Sequence, residues 1–91
     1  MKITKKIINE MTKITKQERA RNTYSISYQM GEINYSLKCM DGIIHFSYTI
    51  YCTDNQEHHE EDLLDYYISN KKDFVDAVYD LLRDKDVSEI W

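Results

Sequence analysis

Residues 23–52 constrain the fold most, because they alternate polar and apolar side chains with a period of two and are broken only by two turn dipeptides. In the first run Tyr24, Ile26, Tyr28 and Met30 alternate with Thr23, Ser25, Ser27 and Gln29, the pattern of a strand with one buried face. Gly31-Glu32 suits a two-residue II′ turn with glycine first, and Asp41-Gly42 suits a I′ turn, which needs positive φ at both central residues. The spacing therefore predicts strands over 23–30, 33–40 and 43–52, with a register set by the turns. Around Gly31-Glu32, Tyr24 falls opposite Cys39, Ile26 opposite Leu37, Tyr28 opposite Tyr35 and Met30 opposite Ile33. Around Asp41-Gly42, Cys39 falls opposite Ile44, Leu37 opposite Phe46, Tyr35 opposite Tyr48 and Ile33 opposite Ile50. One face of this meander is apolar across all three strands, and the other is mostly Ser, Thr, Asn and Gln.

The flanks read as helices. Ile3, Ile7, Met11 and Ile14 recur at helical spacing with Lys5, Lys6, Lys13 and Lys16 off the stripe, which predicts a basic amphipathic helix over 2–17 and a connector carrying Arg19 and Arg21. Thr53 and Gln56 have capping-box spacing, so a second helix is expected over 54–69, with an acidic first turns' worth of Glu57, Glu60, Glu61 and Asp62 and a buried face of Leu63, Leu64, Tyr67 and Ile68. Asn70 caps a third helix over 71–84, whose apolar stripe is Phe74, Val75, Val78, Leu81 and Leu82. The expected class is α+β in the order αβββαα, one domain spanning 1–91. All three helices are expected on the apolar face of the meander, with the polar face left to solvent. Ile43, His45 and Tyr51 fall on that open face, and Val87, Ile90 and Trp91 form an apolar tail that either folds back on the helices or anchors a partner.

With 42% hydrophobic and 31% charged residues the composition is that of a soluble globular domain, apart from eight Tyr and no Pro. No stretch approaches the roughly 20 apolar residues of a membrane span, and the N-terminus lacks a signal peptide's apolar core, so the expected location is cytoplasmic. In the predicted ladder Cys39 and Cys52 lie about 25 Å apart, too far to bridge. Both read as small apolar core thiols.

The net charge of −4 is segregated: residues 1–21 carry seven Lys/Arg and two Asp/Glu, whereas residues 53–91 carry four and twelve. On the third helix Asp73, Asp76, Asp80 and Asp84 share one narrow sector opposite the apolar stripe. Asp is a poorer helix former than Glu, and like charges at i, i+4 repel, so helix stability alone does not select that row. It reads either as a solvated face or as an imitation of nucleic-acid phosphates that fits a Lys/Arg groove. The basic first helix lacks aromatic interleaving for stacking on bases; its expected role is to pack near the acidic half, although Lys5, Lys6, Lys13 and Lys16 also allow direct contact with nucleic acid.

No catalytic chemistry is legible. His58 and His59 lack a second His at zinc-protease spacing, the two glycines are both used in turns, and no Ser or Cys has a base beside it. Neither an enzyme nor a cofactor or metal site is expected.

The αβββα order resembles the double-stranded-RNA-binding domain, but that family has a lysine-rich motif where this chain reads Glu57-His58-His59-Glu60-Glu61-Asp62, and the reversed charge rejects it. In architecture and charge layout the whole chain resembles small phage-encoded anti-CRISPR proteins, in which a short helix, a three-stranded meander and two acidic helices occur. That resemblance implies a non-enzymatic inhibitor whose carboxylates occupy the Arg/Lys pocket that reads the PAM in a CRISPR-Cas nuclease of the bacterial host. By that analogy the partner-binding residues are Asp73, Asp76, Asp80 and Asp84, with Glu57, Glu60, Glu61, Asp62 and Asp65 as a second patch. The expected partner is such a nuclease or another nucleic-acid-binding protein, without direct duplex DNA binding, and the expected state is a monomer or weak dimer. The alternative is a small regulatory or adaptor module that binds a protein through its Tyr-rich sheet or Trp91.

Overall fold

The computed structural model describes residues 1–16, 22–51 and 55–91, in the order α1 (Lys5–Met11), β1 (Lys13–Lys16), β2 (Asn22–Met30), β3 (Ile33–Met40), β4 (Ile43–Tyr51), β5 (Gln56–Leu63), α2 (Lys71–Leu82) and β6 (Glu89–Ile90). The strands form one antiparallel sheet in the order β1-β2-β3-β4-β5, with β6 also paired to β2. The class is α+β as expected, but with two helices and a larger sheet than the αβββαα layout.

The central meander follows its turns. Gly31 sits at φ 60, as the first centre of a II′ turn requires, and Asp41 and Gly42 at φ 53 and 84, as I′ requires. The register is the one read from the sequence, from Tyr24↔Cys39 to Met30↔Ile33 and from Met40↔Ile43 to Tyr35↔Tyr48. The ladder stops there, so the expected Ile33–Ile50 pair is not part of it.

Three expectations are corrected. The first helix is α1, shorter than 2–17. Thr4 caps its start by accepting a hydrogen bond from the Ile7 amide at 3.2 Å, and Thr12 ends it with its hydroxyl and amide both donating to the Ile8 carbonyl, at 2.6 and 2.9 Å. Thr12, Ile14 and Thr15 are β-branched and stiff in a helix, and the chain turns extended to form β1 against β2. Ile14 is thus 49% exposed, while Ile8, off the predicted stripe, is fully buried.

The second correction is larger: residues 56–63, expected to begin a helix over 54–69, form edge strand β5. A helix there would hold its apolar residues, Leu63, Leu64, Tyr67 and Ile68, only at its far end. As a strand the segment completes β4's open side through eight paired residues, from Ile44↔Leu63 to Tyr51↔Gln56. The expected buried face is accordingly divided: Ile68 is 6% exposed, whereas Leu64 and Tyr67 are 77% and 81% exposed. The third is a small one, since the last helix stops at Leu82 rather than 84. The connector at 17–21, Cys52 and the capping residue Thr53 lie outside the described residues, as does the side chain of Tyr51.

Both helices pack on the apolar face, where Ile8, Ile26, Leu37, Ile44, Phe74, Val78, Leu82 and Val87 are almost wholly buried in one cluster. The tail folds back, but as a strand paired with β2 rather than simply on the helices. Val87 and Ile90 enter the core, and Trp91 exchanges two backbone hydrogen bonds with Ser27 at 2.8 and 3.0 Å, which sets its side chain on Ser27's open face. The cover is incomplete: Tyr35, Phe46, Tyr48 and Ile50, on β3 and β4 toward β5, are only half-buried. No helix among the described residues is long and apolar enough to cross a membrane.

Candidate functional site

Three of the four aspartates of the predicted ridge have separate partners. Asn70 caps α2 by accepting from the Asp73 amide at 2.8 Å, and the Asp73 carboxylate reaches back to accept from the Ser69 hydroxyl at 2.6 Å and the Ser69 amide at 3.1 Å. Those bonds, helped by the charge of Lys72, hold the Asp73 carboxyl below the usual carboxylate range. Asp76 pairs with Lys5 of α1 at 3.1 Å, and Lys5 also lies over the Tyr79 ring at 5.5 Å. Asp80 accepts from the Tyr66 hydroxyl at 2.6 Å, an interaction that pushes the Tyr66 phenol up. Asp84 is exposed in the turn after α2. Three of the four carboxylates are therefore spent on holding α2 to its cap, to α1 and to the preceding loop. Asp65 joins Asp73 and Asp76 around a shallow groove of about 330 Å³.

The second patch is where exposed carboxylate is concentrated. Glu57, Glu60, Glu61 and Asp62 all lie on β5, the outermost strand, and all are exposed. Pairing with β4 assigns them to faces. Glu57, His59, Glu61 and Leu63 share the apolar face with Ile50, Tyr48, Phe46 and Ile44, while His58, Glu60 and Asp62 share the open face with Thr49, Ser47 and His45. A strand rises about 3.3 Å per residue. Glu60 and Asp62 thus stand about 6.6 Å apart on the open face, with Glu61 between them on the other.

All three histidines lie in this region and each meets a carboxylate. His45 Nδ1 contacts Asp62, His58 Nε2 lies 3.0 Å from Glu60, and His59 Nε2 lies 3.7 Å from Glu61. His58 Nδ1 also shares a hydrogen bond with the Thr49 hydroxyl at 2.9 Å across the β4–β5 pair. Among the described residues no group of three or more His, Cys, Asp or Glu could hold a metal ion.

The sequence reading passed over one feature of the site. Tyr28, Tyr35, Tyr48 and His59 lie directly opposite one another on four successive strands, with ring centroids 5.2, 5.3 and 5.0 Å apart. Phe46 packs beside them, 5.8 Å from Tyr35 and 5.7 Å from Tyr48. The first two rungs of this row were legible from the turn registers; its continuation to His59 was hidden by the helix expected at 54–69. An apolar groove of about 240 Å³ runs beside the row, between Phe46 and Leu63 of the sheet and Leu81 and Lys85 at the end of α2. On the open face Trp91 borders a shallow hollow of about 250 Å³ with Ser27, Ser36 and Ser47. No protein-family model, curated protein or solved structure matches this chain.

Proposed function

We propose that this chain is a non-enzymatic inhibitor that docks on the basic nucleic-acid groove of a nucleic-acid-handling protein, a CRISPR-Cas nuclease being the class its resemblance implies. The observation that carries the reading is β5: an exposed edge strand that gathers four carboxylates, Glu57, Glu60, Glu61 and Asp62, within six residues and on both of its faces. Glu60, Glu61 and Asp62 meet histidines within the β4–β5 pair but stay exposed together on one strand, whereas Asp73, Asp76 and Asp80 hold α2 to separate elements, so β5 rather than the α2 row carries the site. Asp65 lies in the loop that follows β5, and Asp84 in the turn after α2.

Loading of labelled duplex DNA onto an RNA-guided nuclease, followed by fluorescence anisotropy, tests the reading. The wild-type chain should block loading, and Glu60→Lys with Glu61→Lys should abolish the block while far-ultraviolet circular dichroism stays unchanged. Asp80→Lys should weaken it less. Unimpeded DNA loading at saturating wild-type chain, across nuclease types, would reject the proposal. The adaptor reading is favoured by one observation, the half-covered aromatics Tyr35, Phe46 and Tyr48. It would gain if a captured partner handles no nucleic acid and binding survives the charge reversal.

A further inference from the structure

We infer that β5 is an acceptor edge to which the partner adds an extended basic strand, with an arginine placed directly opposite His59. This inference rests on the reading of β5 as the docking element and names what docks there. The strand order ends at β5, so alternate residues of its eight direct N–H and C=O groups outward with no strand beyond them among the described residues.

Charge decides which strand fits. A second copy added about a two-fold axis normal to the sheet sets carboxylates against each other at some rungs, Glu57 opposite Glu61 when centred on His59 and Glu60 opposite itself when centred on Glu60, and only histidines against them at others, such as His58 opposite Glu60 or Asp62. A basic strand meets the carboxylates of both faces with cations at every rung, and charge therefore favours it over a second copy. On the open face that strand would run beside His58, Glu60 and Asp62, and on the apolar face beside Glu57, His59 and Glu61.

The aromatic row narrows the choice further. It ends at the β5 edge with the His59 ring, whose side chain is 48% exposed and tilted 31° to Tyr48. A residue opposite His59 on an added strand has that ring as its direct neighbour and Glu57 and Glu61 as its diagonal neighbours. A planar cation satisfies both demands, stacking on the imidazole while its N–H groups reach a carboxylate on either side. Guanidinium has that shape and lysine's ammonium does not.

The test uses the full chain and three labelled eight-residue peptides: alternating Thr/Arg, alternating Thr/Lys, and the Thr/Arg peptide N-methylated throughout. Anisotropy should show the Thr/Arg peptide binding about two- to five-fold more tightly than Thr/Lys. N-methylation, which keeps every charge but removes the backbone donors, should weaken binding by about tenfold or more. Glu57→Gln with Glu61→Gln should erase the preference for arginine. Equal binding of the methylated peptide overturns strand addition, and equal affinity for Arg and Lys peptides overturns the arginine position. A wild-type chain that blocks DNA loading but ignores all three peptides sinks this inference alone, whereas one that does neither sinks the docking reading with it.

Discussion

Asp73 shows how a residue that looks like partner-binding charge is bound to structure. Its carboxylate accepts both the hydroxyl and the amide of Ser69, and its own amide donates to the cap Asn70, so the residue ties the first turn of α2 to the two residues before it. The folded-state value is depressed, so the stabilisation is fully present above the unfolded carboxylate value of about 3.9 and is lost as pH falls through the lower folded one. Asp73→Asn removes that titration. The melting temperature of the variant should fall less steeply than that of the wild type on acidification below about pH 4. Parallel acid limbs would show that the Ser69 contacts carry no net stability. The Asp row was visible in the sequence, but its use was not, because Lys5, Tyr66 and Ser69 reach it only through the tertiary fold. Cys39 was easier to place: its position in the alternation put it among apolar neighbours, and burial there pushes its thiol up.

At the scale of elements, legibility followed how local the determinant was. Each hairpin is specified by its own turn and alternation, and both came out in the predicted register. Segment 56–63 has no such signature of its own; what makes it a strand is β4's otherwise unpaired side and the pairs His45–Asp62 and Thr49–His58 across it. Tertiary pairing overrode a capping pattern and a poor strand composition. The clue lay in spacing, since His58/Glu60 and His59/Glu61 are complementary at i, i+2, the interval that shares a face in a strand and not in a helix. The turns themselves yield a graded prediction. Gly31→Ala meets open space and should cost only the strain of a left-handed residue, about 1–2 kcal/mol. Gly42→Ala bears the same strain and also places its Cβ 3.1 Å from the Tyr67 ring and 3.4 Å from the Ile68 carbonyl oxygen, beside the Ile68 amide's bond to Gly42. Urea unfolding should rank Gly42→Ala as the more damaging; the reverse order would mean that the exposed Tyr67 ring moves aside without cost.

For the whole molecule, the two ends of the chain meet on one strand. β1 pairs with the first half of β2 and β6 with its second half, while α1 and α2 pack on the apolar face and are joined by Lys5–Asp76. The charge segregation seen in the sequence therefore becomes a contact between a basic beginning and an acidic end, though an exposed pair of this kind contributes little on its own, about 0–1 kcal/mol. Apolar burial in the tail is worth more. Ile90, paired beside β2, is 6% exposed and Val87 wholly buried, whereas Trp91, one residue on, falls on the opposite face and is only half-buried. Truncating a core isoleucine to alanine typically costs about 2–5 kcal/mol. That is a large part of the roughly 5–15 kcal/mol total of a small domain. Ile90→Ala should therefore lower the urea midpoint sharply. Loss of β6 would also uncover the second half of β2, leaving it open to pairing between chains, so the variant should elute larger on size exclusion at high concentration. Trp91→Ala should leave both measurements near wild type and alter only partner capture, and then only if the adaptor reading holds. A small effect from Ile90→Ala would mean that the tail rests on the sheet without being part of its core, and the terminal strand would then be free to leave β2 for another protein.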